Sequence, residues 1–146
     1  FAGSGSYGLE ALSRGAKFVH FVENNGRIFS DLKRNFEKVR KSAGLIEKAA
    51  SFSNRDVIEF LRKRENTYDI IFLDPPYKEF PKIGNSVFDF LITHNFVHQD
   101  TILVHEAPME EVSSFENWEL LKVLGKEKAG TPNYRFYTPE FSAFGQ

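Results

Sequence analysis

Tyr68-Asp-Ile-Ile-Phe-Leu-Asp-Pro-Pro-Tyr77 is the stretch from which the fold can be read. Ile70 to Leu73 is an apolar run too short for a helix and closed off by prolines, which predicts a strand buried on both faces. Asp74-Pro75-Pro76-Tyr77 then falls just past the strand's carboxyl end, where open α/β sheets bind their ligands. Asp74 precedes a proline and is driven toward extended backbone, while two successive prolines lack N–H groups and hold the turn stiff. The Asp74 carboxylate and the Pro75 carbonyl can together accept both hydrogens of an exocyclic amine, and Tyr77 offers a flat face on which a base can stack. The same residues also fit a plain strand exit, in which Asp caps and Pro terminates. The tetrapeptide alone leaves both readings open.

Upstream, Phe1-Ala-Gly-Ser-Gly-Ser-Tyr-Gly8 contains Gly3-x-Gly5-x-x-Gly8 and runs into helix-forming Leu9 to Arg14, which stops at Gly15. Glycines permit the turn and a close backbone approach, and a helix N-terminus aims N–H groups at whatever is bound. Such a loop holds a pyrophosphate, the carboxylate of an amino-acid-like cofactor, or nothing. Lys17-Phe-Val-His-Phe-Val-Glu23 predicts the next strand, and Glu23 lies 18 residues after Gly5. That is close to the spacing of roughly 20 for the carboxylate that takes ribose hydroxyls in dinucleotide sites. His20 is expected to be a satisfied core or edge histidine, since no second histidine stands at metal spacing.

Asn24 to Gly44 predicts a long amphipathic helix with Ile28, Leu32, Phe36 and Val39 on one face. The other face carries Arg27, Lys33, Arg34, Lys38, Arg40 and Lys41 against Asp31 and Glu37, a pattern that suits a phosphate backbone or plain solvent. Ile46 to Phe52 reads as a weak strand. Ser53 to Asp56 then caps a short helix, Val57 to Lys63, with Val57, Phe60 and Leu61 facing inward. Asp56 is either that helix cap or a partner for an adenine amino group. Glu23, Asp56 and Asp74 thus fall at the ends of three successive strands.

Downstream, Lys78 to Gly84 reads as a surface connection, and Val87, Phe88, Leu91 and Ile92 mark a helix with His94 and His98 near its end. Thr101 to Glu106 is a strand. Glu110, Glu111 and Glu116 make an acidic patch unsuited to nucleic acid. Trp118 to Leu124 and Tyr134 to Tyr137, with Gly130-Thr-Pro-Asn133 between them, predict a closing hairpin.

With 146 residues, 41% of them hydrophobic, the chain has material for one well-filled domain. It lacks a run of about 18 apolar residues and a charged-then-apolar leader, so neither a membrane span nor a signal peptide is expected, and the protein reads as soluble. Zero cysteines exclude disulfides and thiolate metal sites and fit a reducing cytoplasm. A net charge of −1 means that any nucleic-acid contact comes from a local basic patch. The chain opens at Phe1, inside what looks like a motif, and is expected to be a fragment.

The order of Phe1 to Ala16, Val22-Glu23, Leu73-Asp-Pro-Pro-Tyr77 and a terminal hairpin resembles the RsmD family of bacterial 16S ribosomal RNA guanine-N2 methyltransferases. The likeness covers nearly the whole chain. It implies an α/β, Rossmann-like S-adenosylmethionine-dependent methyltransferase fold, with a mostly parallel sheet and a C-terminal antiparallel hairpin. By that likeness Ala2, Gly3, Ser4, Gly5 and Gly8 surround the methionine part of S-adenosylmethionine, Glu23 and Asn24 take the ribose side, and Asp56 with Val57 reads adenine. Asp74, Pro75, Pro76 and Tyr77 hold the target base. No metal is implied. The implied partner is 16S rRNA in the small ribosomal subunit or its assembly intermediate, met in the cytoplasm by a monomeric enzyme.

Members of that family carry, before the position of Phe1, a central strand ending in an acid and a segment that engages RNA. Residues 1 to 146 are therefore expected to be a single, N-terminally truncated methyltransferase domain whose sheet has a gap between its halves. The parent protein or another chain would supply the missing strand, and full activity is not credited to these residues alone. The rival readings are an N6-adenine methyltransferase on DNA or another RNA, a nicotinamide-dependent oxidoreductase, and a non-catalytic nucleotide-binding module.

Overall fold

The structure, a computed structural model, describes residues 1–63, 66–109, 114–125 and 130–141. The chain divides into two compact units, Phe1–Phe60 and Leu61–Gln146.

In the first unit Gly5, at φ 87°, turns the chain into helix α1 (Ser6–Ser13), followed by strand β1 (Val19–Val22) and helix α2 (Gly26–Ala43). A 3-10 turn, Glu47–Ala49, leads to strand β2 (Ala50–Ser53), and helix α3 (Val57–Leu61) closes the unit. β1 and β2 pair in parallel from Val19 opposite Ala50 to Val22 opposite Ser53. Asn25 caps α2 by accepting the N–H groups of Arg27 and Ile28, and Gly44, at φ 66°, ends it in the left-handed conformation that glycine tolerates. The core joins Leu9 and Leu12 of α1, Phe21 of β1, Leu32 and Phe36 of α2, and Ala49. Phe52 stacks on Phe21 at 5.3 Å and meets Phe36 edge-on at 5.2 Å. Ile28 departs from the expected buried stripe, since it is 39% exposed in the first turn of α2 and Phe29 packs on the core instead. The weak strand is shorter than expected because the 3-10 turn occupies its first half and leaves Ile46 outside.

The second unit contains strand β3 (Ile70–Leu73), helix α4 (Phe80–Thr93), and strands β4 (Ile102–Pro108), β5 (Trp118–Leu124) and β6 (Pro132–Pro139). Their order is β3-β4-β6-β5, with β3 parallel to β4 and the hairpin strands antiparallel. The strands thus form two sheets, and the larger one is mixed. Alternation along β4 puts Leu103, His105 and Ala107 on a buried face, with Phe80, Val87, Phe88 and Leu91 of α4 buried as well. Phe88 stacks on Phe115 at 3.6 Å and meets Trp118 and Tyr137 edge-on, and its carbonyl accepts the Trp118 indole N–H.

Two expectations fail here. β3 is not buried on both faces: Ile70 is 56% and Phe72 40% exposed, and among the described residues β3 pairs only with β4. Lys78 to Gly84 is not a surface connection either. α4 begins at Phe80, and both Phe80 and Gly84 are buried. Pro81 in the first helical turn was the signal, since its ring suits that position. Glu110 and Glu111 lie outside the described residues, and Glu116 is exposed.

Candidate active site

The residues expected to bind the cofactor, Ala2, Gly3, Ser4, Gly5, Gly8, Glu23, Asn24 and Asp56, all lie in the first unit, and Val57 opens α3 there. Glu23, buried just past the end of β1, organises them. Its Oε2 accepts the Gly3 N–H and its Oε1 the Asn25 N–H, each at 2.9 Å, so one carboxylate ties the glycine loop to the cap of α2. The Ala2 N–H bonds the Val22 carbonyl at 2.9 Å, and Asn35 reaches the Ser4 carbonyl at 3.1 Å. Asn54 donates to the carbonyls of Glu23 and Asn24 at 2.8 and 3.2 Å. A carboxylate has about four acceptor sites, so Glu23 keeps capacity for ribose hydroxyls after these two bonds.

The three glycines serve different ends. A Cβ on Gly5 would come within 2.2 Å of Leu32, and one on Gly8 within 2.3 Å of Phe21, so these two are required by packing. Gly3, at φ 56°, has open space where a Cβ would be. With exposed Ser4 it is the part of the loop that faces outward, toward an α1 N-terminus that no side chain caps. An amino-acid carboxylate suits such a place, which fits the methionine part of S-adenosylmethionine. Asp56 is a helix cap: its Oδ1 accepts the Ile58 and Glu59 N–H groups at 2.7 and 3.3 Å. Both bonds use the same oxygen, and Val57 heads the helix, where an N–H has no intrahelical acceptor. His20 is satisfied as expected, bonding Ser53 at 2.9 Å with its ring edge-on to Phe60.

The residues expected to hold the base, Asp74, Pro75, Pro76 and Tyr77, lie in the second unit, directly after β3. The Pro76 carbonyl accepts the Glu79 and Phe80 N–H groups at 3.0 and 3.2 Å and so starts α4. Neither the Pro75 carbonyl nor the Asp74 carboxylate receives a hydrogen bond among the described residues. Partial burial, and then the negative charge of Glu106, push the Asp74 carboxyl above the usual carboxylate range. Tyr77 is 43% exposed and donates its hydroxyl to Glu106 at 3.4 Å. Burial and the Glu106 charge raise its phenol in the same way.

Sequence reasoning missed Glu106 and His105 here, and Asn25 and Asn54 on the cofactor side. Glu106 closes the stretch Thr101 to Glu106 that reads as a strand, although β4 runs on to Pro108, and only the β3–β4 register brings it near the end of β3. His105, opposite Leu73 in the ladder and fully buried, has no hydrogen-bond partner on either ring nitrogen among the described residues. Phe80 lies 4.2 Å from its ring, and burial with the nearby Arg135 charge pushes its pKa down to about 4. Nothing in a lone histidine among apolar residues reveals that. His98, by contrast, pairs with Asp69 at 3.0 Å.

Among the described residues no cluster of three His, Asp or Glu side chains is placed to hold a metal, and no helix is long and apolar enough to cross a membrane. On the exposed side of α2, Arg34 pairs with Asp31 and Arg40 with Glu37, and the Lys33 ammonium sits over the Phe29 ring.

A glycine loop tied to a strand-end acid, and a strand opening into an acceptor-rich loop, stand within a Rossmann-like fold of the S-adenosylmethionine-dependent methyltransferase class. The chain belongs to the family described as conserved hypothetical protein 95, the RsmD family of ribosomal RNA methyltransferases, whose model matches residues 1–138. It is 32% identical to the ribosomal RNA small subunit methyltransferase D of Haemophilus influenzae over 140 residues, 94% of this chain and 68% of that protein. To the Escherichia coli protein of the same name it is 26% identical, over 96% of this chain and 66% of that one. The chain thus spans about two thirds of these relatives. A solved Escherichia coli structure described as a methyltransferase superposes with a TM-score of 0.81 at 26% identity, covering 97% of this chain and 75% of that one.

Proposed function

We propose that residues 1–146 form one methyltransferase domain of a protein that methylates the exocyclic N2 of a guanine in 16S rRNA. One observation carries the reading: two acceptors, the Asp74 carboxylate and the Pro75 carbonyl, stand without donors among the described residues just past the end of β3, in the same loop as Tyr77. An exocyclic amine supplies the two hydrogens such a pair lacks. Family membership supports rRNA as the substrate and speaks against a nicotinamide-dependent enzyme, which would leave the proline loop without a task.

Gly3, Ser4, the α1 N-terminus and Glu23 hold S-adenosylmethionine, with Asn24, Asp56 and Val57 on its adenosine side. The cofactor brings a methyl group already activated on a sulfonium sulfur, so the chain's own residues position and deprotonate. A guanine amine is a weak nucleophile because its lone pair is delocalised into the ring. Hydrogen bonds to Asp74 and Pro75 draw its hydrogens to one side and free the lone pair for in-line attack. The Asp74 carboxylate, made more basic by its surroundings, accepts the proton the amine loses. Tyr77 stacks on the base once it is swung out of its RNA context. The basic side of α2 contributes to RNA contact, in a cytoplasmic, monomeric enzyme.

The test is transfer of labelled methyl groups by the full-length protein to small ribosomal subunits, protein-free 16S rRNA and duplex DNA, followed by nucleoside analysis. N2-methylguanosine from ribosomal RNA is expected. Label found only in DNA, or only as N6-methyladenosine, overturns the reading.

A further inference from the structure

Asp74 and Glu106 each follow a residue of the same rung, Asp74 just past the end of β3 and Glu106 within β4. β3 and β4 run parallel with Leu73 opposite His105, so each acid is the next residue along, on strands about 4.8 Å apart. Side chains alternate along a strand, so Glu106 points away from the face that buries His105, and its charge acts on the Asp74 carboxyl. The row continues into β6, where Tyr134 lies opposite Glu106. Tyr77 folds back over it and donates its hydroxyl to Glu106 at 3.4 Å. Glu106 is half-buried, and a carboxylate offers about four acceptor sites.

An amine-gripping loop needs one carboxylate, and here a second stands beside it. We infer that Glu106 determines base specificity, accepting the N1–H of a guanine whose N2 amine is held by Asp74 and Pro75. On guanine's Watson–Crick edge the ring N1–H adjoins the 2-amino group, so two neighbouring acceptor sites meet neighbouring donors. On adenine the ring nitrogen beside the amine is an acceptor. There the Glu106 carboxylate would face a lone pair, losing a hydrogen bond and adding repulsion. The assignment rests on the base-binding reading above and deepens it, since Asp-Pro-Pro-Tyr by itself grips either amine.

2-Aminopurine separates the two ideas, because it keeps guanine's 2-amino group and has an unprotonated N1. Full-length protein is assayed on 16S rRNA carrying either guanosine or 2-aminopurine at the nucleotide the wild type methylates. Wild type is expected to favour guanosine by about 100-fold or more in kcat/KM, as sites built around a substrate N–H do. In Glu106→Gln, whose amide can donate to the bare nitrogen, the preference is expected to shrink to about tenfold or less. Tyr77→Phe deletes the hydroxyl contact to Glu106 and should leave the preference large. A ratio measured on one preparation is insensitive to partial misfolding. An unchanged preference in Glu106→Gln overturns the assignment, and so does Tyr77→Phe reproducing its effect, which would reduce Glu106 to a support for Tyr77. Absence of wild-type transfer to guanosine would remove the underlying reading and the inference with it.

Discussion

Gly3 donates its backbone N–H to Glu23 at 2.9 Å, and the second oxygen of the same carboxylate takes the Asn25 N–H. Glu23→Ala would strand both donors, at a cost of about 1–3 kcal/mol. It should also weaken S-adenosylhomocysteine binding by about tenfold or more, that is about 1.4 kcal/mol. Glu23→Gln, which keeps one acceptor oxygen, should fall between. Calorimetric titration alongside denaturant unfolding checks both parts; unchanged affinity in Glu23→Ala would remove Glu23 from the cofactor site.

Gly5 and Gly3 should respond differently to alanine. Gly5→Ala drives a Cβ to 2.2 Å from Leu32 at a positive φ, and overpacking of that kind typically costs about 1–3 kcal/mol. Gly3→Ala meets open space and carries only the left-handed backbone strain, about 1–2 kcal/mol. Gly5→Ala is therefore expected to unfold at lower denaturant, while Gly3→Ala stays folded and loses cofactor affinity. The reverse order of unfolding midpoints contradicts the division of roles.

Asp74 should leave two marks on pH dependence. On the proposed mechanism turnover uses its carboxylate, whose pKa is raised by burial and Glu106, so activity should fall on acidification at a higher pH than for an ordinary carboxylate. Glu106→Gln should move that inflection down. Stability runs the other way: a carboxyl with a raised folded pKa favours folding below its unfolded value near 3.9, and the advantage is lost as pH rises through the folded value. At neutral pH Asp74→Asn should melt no lower than the parent and lose turnover by about 100-fold. A clear drop in melting temperature would identify Asp74 as a structural residue.

His105 predicts acid sensitivity. Its pKa is lowered to about 4, so the fold holds it neutral while the unfolded chain protonates near 6.5. Its contribution is fully present above pH 6.5 and is lost as pH falls toward 4, a change of about 3 kcal/mol at most. His105→Leu should flatten the stability profile across that window. If the variant and parent lose stability in parallel, another group controls acid unfolding.

Much of this was legible in the sequence because local chemistry and tertiary context agree. The glycine loop, the strand ending in Glu23, the amphipathic helix that stops at Gly44 and the closing hairpin each carry local signals of their own. Glu23, Asp74, Pro75 and Tyr77 stand out for the same reason, as polar groups at apolar strand ends. The failures have other causes. Ile70 and Phe72 read as buried because apolar runs usually are, and no residue states whether a neighbouring layer exists. Ile28 lost its core position to Phe29, since a helix face tolerates such a swing near its end. The duty of Asp56 as a cap depends on which way one oxygen points. Glu106 needed the β3–β4 register, which pairs residues 32 apart in the chain.

The two prolines of the loop are the same letter with separate employments. Pro76 gives its carbonyl to the first turn of α4, while that of Pro75 takes no hydrogen bond among the described residues. Phe80, closing that turn, is sunk beside His105 in the core. The smallest transplantable piece of this site is then Asp74 to Phe80, seven residues and not four. Grafted onto a foreign scaffold without its helical anchor, the tetrapeptide would keep its chemistry and lose its aim.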